Sequence, residues 1–220
     1  MCPIPIAFGV SQGCPLSPFL FSIVMTVLMH DASQAFVAHG LTQDAQIPVS
    51  ELIYADDTLV VGVSDDFVSK LTIAIQVAGS NYGLAFNWSK LEALPICSDT
   101  CLTKPDGSPI PSKDSMVYLG GLLSAAGRSG PELSRRLGMA SGYFETLCKV
   151  WKHTRLPLDK KVATFDACVV SKLLYCLHTA WFNKAERGNI DAFQARCLRR
   201  ISGIKHSYIS HISNETVLQR

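Results

Sequence analysis

Arginine is absent from the first 127 residues, and acidic residues are sparse in the rest of the chain. Residues 1–127 hold four lysines against eleven carboxylates, a balance of −7, whereas residues 128–220 hold sixteen basic residues against seven acids, a balance of +9. The net charge of +2 conceals this division. The asymmetry predicts two units, an acidic one that can hold a metal and a basic one that can hold a polyanion. A solvated basic face on a helical domain is the alternative.

No uninterrupted apolar run is long enough to span a bilayer. The longest nearly continuous one, Phe19 to Met29, is interrupted by Ser22 and Thr26, and no basic flank precedes it. A core of ~30 Å needs about 20 apolar residues, so the sequence predicts neither a membrane segment nor a secretory signal. We therefore expect an intracellular chain, with no targeting segment to specify where. The hydrophobic fraction of 48% excludes a disordered chain and suits one domain or two small ones.

A regular cysteine framework is also lacking. Without a signal peptide, the eight cysteines are expected to be reduced thiols. Only Cys97 and Cys101 lie close together in the sequence. Neither a second cysteine pair nor a nearby histidine supplies the further ligands that a zinc site needs. Cys197 with His206 and His211 lacks a fourth ligand. The sequence therefore does not predict a structural zinc site.

Two adjacent carboxylates, Asp56 and Asp57, lie between the β-prone runs Leu52-Ile53-Tyr54 and Leu59-Val60-Val61. The pattern predicts a tight hairpin with the acids at or beside its turn. Carboxylates among apolar residues need a compensating partner, and adjacent ones repel each other, so a divalent cation is a natural partner. A surface turn, where aspartate is common, is the alternative.

The remaining pattern of residues 1–127 predicts helices around this hairpin. Ser17 and Pro18 suit the start of a mostly apolar, buried helix that runs to about Ala32. Asp65 or Asp66 can cap an amphipathic helix that lies across the sheet. We also predict a helix end at Gly83, a turn over Asn87–Lys90, a strand over Leu91–Ile96, and a bent strand or second hairpin over Met116–Leu123.

Beyond Gly127 the pattern is helical. Pro131 and Pro157 each begin an amphipathic helix, and a third follows Gly188 with Asn189 as its cap. The inward positions that we predict are Leu133, Leu137, Ala140, Phe144, Leu147, Trp151, Leu158, Val162, Phe165, Val169, Leu173, Ile190, Phe193, Cys197 and Ile201. The outer side of the third helix would carry Arg196, Arg199 and Arg200. The sequence thus predicts a helical bundle with basic outer faces.

Four blocks of residues occur in order along the chain. They are Gly9-Val10-x-Gln12-Gly13-x-Pro15-Leu16-Ser17-Pro18, then Tyr54-Ala55-Asp56-Asp57, then Gly83-Leu84-x-x-Asn87-x-x-Lys90-x-Glu92, and then Tyr118-Leu119-Gly120. In this order they resemble the reverse transcriptases of non-LTR (LINE-type) retrotransposons. The helical segment that ends at Leu198–Lys205 is similar to that family's thumb and the start of its linker. Any one block is weak evidence for this family by itself, but four blocks in the family's order are specific evidence.

The resemblance implies an α+β fold, with a partial polymerase palm over 1–127, a helical thumb-like bundle over 128–205 and the start of a linker over 206–220. It also implies RNA-directed DNA polymerase chemistry with Mg²⁺ in a two-metal site. The partners that it implies are an RNA template, a DNA primer and dNTPs.

The resemblance also assigns roles to residues. Asp56 and Asp57 are implied as metal ligands and catalytic groups, with Asp56 the more direct ligand, and Lys90 as a group for the departing pyrophosphate. The implied template and nucleotide contacts are Gln12, Gly13, Pro15, Ser17 and Tyr54. The implied primer grip is Tyr118, Leu119 and Gly120. The implied phosphate-backbone contacts are Arg196, Arg199 and Arg200.

One departure from the family bears on activity. The family's metal site includes another carboxylate, on a strand before the Gln12 loop, but only eight residues precede Gly9 and none of them is acidic. We therefore expect that this chain alone does not polymerise, because misplacement by about 1 Å can cost on the order of a hundredfold in rate. A non-catalytic nucleic-acid-binding remnant and a plain α+β domain are the alternatives. An uncovered sheet edge and apolar surface predict self-association.

Overall fold

A computed structural model describes residues 13–38 and 51–218 of the chain. Helices and two small antiparallel hairpins make the fold α+β, as predicted. The chain divides into two compact units, Met1–Ser112 and Lys113–Arg220. This division precedes the second hairpin, whereas the boundary that we predict from the sequence, between residues 127 and 128, follows it. The second hairpin therefore groups with the helical unit.

The first unit contains two helices and one hairpin among its described residues. Its elements are α1 (Ser17–Ala38), β1 (Glu51–Tyr54), β2 (Asp57–Val60) and α2 (Asp65–Asn81). The two strands pair antiparallel, and Tyr54 lies opposite Asp57. Ala55 and Asp56 therefore form a two-residue turn, which confirms the predicted hairpin.

The helix α1 is longer than predicted and buries only one face. It continues to Ala38 instead of ending near Ala32. Its buried residues are Leu28, Met29, Ala32 and Phe36. The opposite side exposes Phe19, Leu20, Ile23 and Val27. The prediction of a buried helix thus holds for one face and is wrong for the other, because the described partner of α1 is a single helix that covers one face of it.

The length and composition of α1 also bear on the membrane question. Residues Ser17–Val37 are long and apolar enough to cross a bilayer, which the interrupted run from Phe19 to Met29 did not indicate. A core helix of a soluble protein meets the same criterion. Because α1 contributes its buried face to a core, its length and composition do not assign it to a membrane.

The helix α2 completes this core. Its buried positions are Leu71, Ile75, Ala78 and Gly79, and they pack mainly against α1 rather than across the sheet. The rings of Phe36 and Phe67 meet edge to face with centroids 5.2 Å apart. Val60 of β2 contacts the same core and so attaches the hairpin to the helix pair. The N-cap is Ser64, whose hydroxyl accepts from the Phe67 amide at 3.2 Å, and not Asp65 or Asp66.

The segment after α2 confirms one predicted element and corrects another. The turn over Asn87–Lys90 is present, and the Lys90 amide donates to the Asn87 carbonyl at 2.9 Å. The predicted strand over Leu91–Ile96 is absent, and Ala93 makes only an isolated bridge with Ser112. Pro95 explains the difference, because proline cannot donate to a strand ladder.

The second unit is a hairpin followed by helices. Its elements are β3 (Ser115–Tyr118), β4 (Gly121–Ser124), α3 (Gly130–Lys152), α4 (Leu158–Phe165), a π-helical turn (Asp166–Val170), α5 (Ser171–Leu174), a 3-10 turn (Leu177–Thr179), α6 (Lys184–Ile201), α7 (Ser207–Ser210) and α8 (Asn214–Leu218). The strands pair antiparallel, with Tyr118 opposite Gly121, so the predicted second hairpin is confirmed.

The core of this unit follows most of the predicted apolar positions, but Leu158, which we predicted to face inward, is 49% exposed at the start of α4. Buried members that we predicted are Leu133, Ala140, Phe144, Trp151, Phe165, Val169, Leu173, Phe193, Cys197 and Ile201. The start of α6 differs from the prediction, because Asn183 caps it instead of Asn189. Asn183 accepts from the Glu186 amide, and Glu186 accepts from the Asn183 amide, both at 2.9 Å. The capping-box pattern Asn183-x-x-Glu186 was present in the sequence.

Candidate functional site

The aspartate pair lies at an exposed hairpin tip. Asp56 occupies the turn, Asp57 is the first residue of β2, and both side chains are exposed. Ala55 has a left-handed backbone with φ +54°, which is uncommon for a residue other than glycine. Tyr54, opposite Asp57, is also exposed. The tip therefore presents two carboxylates and a phenol side by side.

The donor chemistry of this tip fits part of a magnesium site. Mg²⁺ prefers oxygen ligands and is usually held by one or two carboxylates together with waters and substrate phosphates. Asp56 and Asp57 supply two such carboxylates. Within residues 13–38 and 51–218, no group of three or more histidine, cysteine, aspartate or glutamate side chains is close enough to hold a metal ion. The pair could therefore contribute to a metal site, but these residues do not complete it.

Two other carboxylates of the first unit have side-chain partners. Asp66 accepts from Lys70 at 2.6 Å, one helical turn away. Asp31 accepts from the Tyr82 hydroxyl at 2.5 Å and thereby joins α1 to the end of α2. This hydrogen bond raises the pKa of Tyr82, because an ionised phenol could not donate it. We therefore assign neither Asp31 nor Asp66 to a metal site with Asp56 and Asp57.

The predicted template and nucleotide residues lie partly outside the described residues. Gln12 is among those not described. Gly13 has φ +86° in an exposed turn, a conformation that glycine adopts without strain. Pro15 is exposed, and Ser17 begins α1, where its amide donates to the Cys14 carbonyl at 3.1 Å.

Lys90 is exposed at the end of the turn over Asn87–Lys90. Asn87 stabilises that turn, because its side-chain oxygen accepts from the Ser89 hydroxyl at 2.6 Å and from the Ser89 amide at 3.2 Å. The turn thus presents the lysine on a locally ordered backbone. Its predicted role at pyrophosphate stays a prediction.

The second hairpin has a strained tip that is held by side chains of α3 and by Tyr175, which follows α5. Leu119 and Gly120 both have positive φ, +47° and +79°, as a type I′ turn requires. Leucine rarely adopts this conformation. The Tyr175 hydroxyl donates to the Leu119 carbonyl at 2.9 Å, and Arg135 donates to the Gly120 carbonyl at 2.6 Å. Arg136 donates to the same carbonyl. The predicted primer-grip residues Leu119 and Gly120 are therefore fixed through their backbone.

Glu132 organises the two arginines. It accepts from Nε of Arg135 at 2.7 Å and from Nε of Arg136 at 2.6 Å. Burial raises the pKa of Glu132, but the hydrogen bonds and positive charges of the two arginines outweigh this effect and hold its pKa below the ordinary value. Sequence reasoning did not single out Glu132, Arg136 or Tyr175. The spacing of Glu132 and Arg136, four residues apart on one helix face, is the signal that could have found the pair.

The three arginines of α6 occupy different environments. Arg196 is exposed and lies over the Phe193 ring at 5.8 Å. Arg200 is half exposed and pairs with Glu145, with one N–O distance of 3.1 Å. Arg199 is only 6% exposed, so its predicted place on the outer face is wrong. Backbone carbonyls and polar side chains after α6 surround its guanidinium and draw it inward.

Comparison with known proteins gives a family and a relative. The family described as "Reverse transcriptase (RNA-dependent DNA polymerase)" matches residues 2–122. Over 188 residues the chain is 29% identical to the Retrovirus-related Pol polyprotein from type-1 retrotransposable element R2 of Popillia japonica. That match covers 79% of this chain and 25% of the polyprotein, so the chain spans about a quarter of the length of this curated relative. No solved structure matches the chain significantly.

Proposed function

The chain belongs to the reverse transcriptase family, and from this premise we propose that it is the palm and thumb part of a retrotransposon RNA-directed DNA polymerase. The observation that carries the proposal is the pair Asp56 and Asp57 at the tip of a two-residue hairpin, inside the segment that matches the family. The similarity to an R2 Pol polyprotein supports a non-LTR origin. The substrates would be an RNA template, a DNA primer and dNTPs.

In this proposal the first unit carries the palm residues. Asp56 and Asp57 would hold Mg²⁺, which when bound supplies charge neutralisation at the reacting phosphate. Gly13 allows close approach of a nucleotide to the backbone, and Pro15, Ser17 and Tyr54 belong to the same template and nucleotide surface, together with Gln12 from outside the described residues. Lys90 would face the departing pyrophosphate.

The second unit would hold the nucleic acid. Tyr118, Leu119 and Gly120 would contact the primer end. The basic helices would follow the phosphates of the RNA–DNA hybrid, and Arg196, which is exposed on α6, would make one of these contacts. Arg200 would contribute less, because Glu145 already neutralises part of its charge.

We further propose that this chain alone does not polymerise. Two carboxylates give an incomplete two-metal site, and the described residues offer no cluster of three potential ligands. A non-catalytic nucleic-acid-binding remnant is the second candidate, and the excess of basic residues in positions 128–220 favours it. The two candidates share the hybrid-binding surface but differ in whether Asp56 and Asp57 bind metal.

Metal binding provides the decisive test. Mn²⁺, a paramagnetic substitute for Mg²⁺, should broaden the amide signals of residues 54–58 in an NMR titration, and Asp56→Asn should abolish the broadening. Asp65→Asn is the matched control, because Asp65 and Asp66 form another adjacent pair in the same unit. Equal broadening at both pairs would reject a specific metal site and favour the non-catalytic remnant.

Primer extension tests activity directly. The recombinant chain with an RNA template, a DNA primer, dNTPs and Mg²⁺ should give no extension, while binding an RNA–DNA hybrid in a salt-dependent manner. Robust extension that Asp56→Asn abolishes would overturn the proposed inactivity. Absence of hybrid binding at low salt would reject both candidate functions and leave a plain α+β domain.

A further inference from the structure

We infer that Glu132 and Arg136 are positioning residues that lock the tip of the β3–β4 hairpin onto α3, so that the primer end and the helical unit move together. The role at the primer end rests on the proposed function. The attachment of the hairpin tip to α3, which we call the lock, rests only on contacts within the second unit. Together with Tyr175, the inference adds three residues to the primer grip that the block Tyr118-Leu119-Gly120 does not contain. Tyr175 is the third member of the lock.

The backbone of the tip is strained, so contacts from outside the hairpin must stabilise its conformation. Leu119 has φ +47°, and a bulky residue in this region is a genuine outlier. Such residues persist only where the surrounding structure fixes them. Here three side chains donate to two consecutive carbonyls: Tyr175 to Leu119, and Arg135 and Arg136 to Gly120. The strained turn and the three side chains that donate to it thus form one hydrogen-bonded network.

The Glu132–Arg136 pair is the most buried part of this hydrogen-bonded network. Glu132 is 6% exposed and Arg136 is 4% exposed, whereas Arg135 is only partly buried. A buried charge must be paired and hydrogen-bonded, and here the pair satisfies this requirement by using the Gly120 carbonyl as a further acceptor. The Arg136 guanidinium also lies over the Tyr175 ring at 4.8 Å. Releasing the tip would therefore remove one acceptor from a buried cation.

The lock uses the backbone of the tip and leaves side chains available. Leu119 and Val117 stay exposed on the hairpin. Space at the tip is tight, because a Cβ on Gly120 would lie 3.2 Å from the Tyr175 ring. A nucleic acid strand could thus contact the outer surface of the hairpin while α3 and Tyr175 hold its inner side. This arrangement suits a grip that must hold a primer end of any sequence.

The experiment compares four variants of the full chain. Glu132→Gln removes the carboxylate charge, Arg136→Lys keeps the positive charge but loses the planar fork, and Tyr175→Phe removes one hydrogen bond to Leu119. Glu145→Gln is the matched control, because it breaks the other Glu–Arg pair of α3, which joins Arg200 of α6 and not the hairpin. Circular dichroism first confirms that each variant is folded.

Two readouts separate positioning from general stability. Amide hydrogen exchange measures local opening of residues 118–124, and the core amides of α3 and α6 serve as the reference. Binding of an RNA–DNA hybrid with a recessed DNA 3′ end, compared with a blunt hybrid, reports use of the primer end. Glu132→Gln and Arg136→Lys should accelerate exchange in the hairpin by about tenfold or more, because hydrogen bonds to charged groups are lost. They should also abolish any preference for the recessed end, and Tyr175→Phe should have a smaller effect in the same direction.

Each outcome decides a separate point. Unchanged hairpin exchange in Glu132→Gln, or equal acceleration throughout the second unit, would overturn the lock. A loosened hairpin with an unchanged preference for the recessed end would overturn the positioning role. If the unmodified chain binds both hybrids equally, the proposed function and the primer role fail together, whereas the exchange data still decide the lock. The inference is supported if Glu145→Gln leaves the hairpin exchange and the preference for the recessed end unchanged and Glu132→Gln alters both; release of Arg200 by Glu145→Gln would change the affinity for both hybrids alike.

Discussion

The guanidinium of Arg199 and the side-chain oxygen of Asn214 join the end of α6 to the start of α8. Nε donates to that oxygen at 3.1 Å and Nη2 at 2.9 Å. Arg199 also donates to the carbonyls of Lys205 and Ile212, at 3.1 and 2.6 Å. Within residues 13–38 and 51–218 no carboxylate pairs with it, and the described groups that accept from this buried cation are neutral oxygens. Arg199 therefore organises the segment after α6.

Replacement of Arg199 should destabilise the second unit. Arg199→Ala should lower the free energy of unfolding by about 2–4 kcal/mol, because several buried acceptors lose their donor. Arg196→Ala, on the exposed side of the same helix, should change it by less than about 0.5 kcal/mol. Urea unfolding measures both. Equal effects of the two substitutions would contradict the structural role of Arg199.

The exposed arginine should instead control the salt dependence of hybrid binding. Arg196→Ala should reduce the slope of log affinity against log salt by about 1, which corresponds to one lost phosphate contact. Arg200→Ala should reduce it less, because Glu145 competes for Arg200. Fluorescence anisotropy at several salt concentrations measures the slopes. A larger effect at Arg200 than at Arg196 would refute this order.

The exposed face of α1 should promote self-association. Phe19 is 69% exposed and Ile23 is 60% exposed, one turn apart. Replacing both with serine should shift the chain towards monomer in sedimentation velocity, with little loss of stability, because these side chains contact solvent. Leu28→Ala, on the buried face of the same helix, should cost about 2–5 kcal/mol instead. An unchanged oligomer distribution in the double variant would argue against this surface as the contact.

The cysteines should differ in reactivity towards alkylating reagents. A hydrogen bond from the Leu16 backbone lowers the pKa of the exposed Cys14 thiol, whereas burial raises the pKa of Cys197 to about 12. Because the thiolate is the reactive form, Cys14 should react early near neutral pH and Cys197 last. Mass spectrometry after timed labelling gives the order, and labelling in urea should abolish it. Early labelling of Cys197 in the folded chain would contradict its burial.

Acid should weaken the second unit through Glu132. Because the folded pKa of Glu132 lies below its ordinary value of 4.5, the carboxylate stabilises the folded state above that value. This stabilisation is lost as the pH falls through the lower, folded pKa. Glu132→Gln should therefore flatten the dependence of unfolding free energy on pH below about 4.5. Glu145→Gln should change it less, because its pair with Arg200 is exposed to solvent. Parallel pH profiles for Glu132→Gln and the unmodified chain would refute the coupling.

Much of the local structure was predictable because it depends on short-range patterns. Two β-prone runs around Asp56-Asp57 specify a hairpin, and the 3.6-residue spacing from Leu133 to Trp151 specifies one face of a helix. The capping box at Asn183 is equally local, although Gly188 and the apolar spacing that follows it favour Asn189 as the cap. The π-helical turn at Asp166–Val170 is different, because no local pattern distinguishes it from continued α-helix.

The sequence by itself determined the two hairpins and the helical unit, since these follow from nearest neighbours and periodicity, and it carries the residue blocks by which the chain resembles a reverse transcriptase. Only the tertiary structure decided what each charge and each apolar face does. Arg199 turns inward because acceptors in the segment after α6 fold back around it, Glu132 and Arg136 hold a tip from a different element, and α1 exposes one face because one helix covers the other. Such outcomes depend on which distant groups meet, and residue spacing along one element does not carry that information.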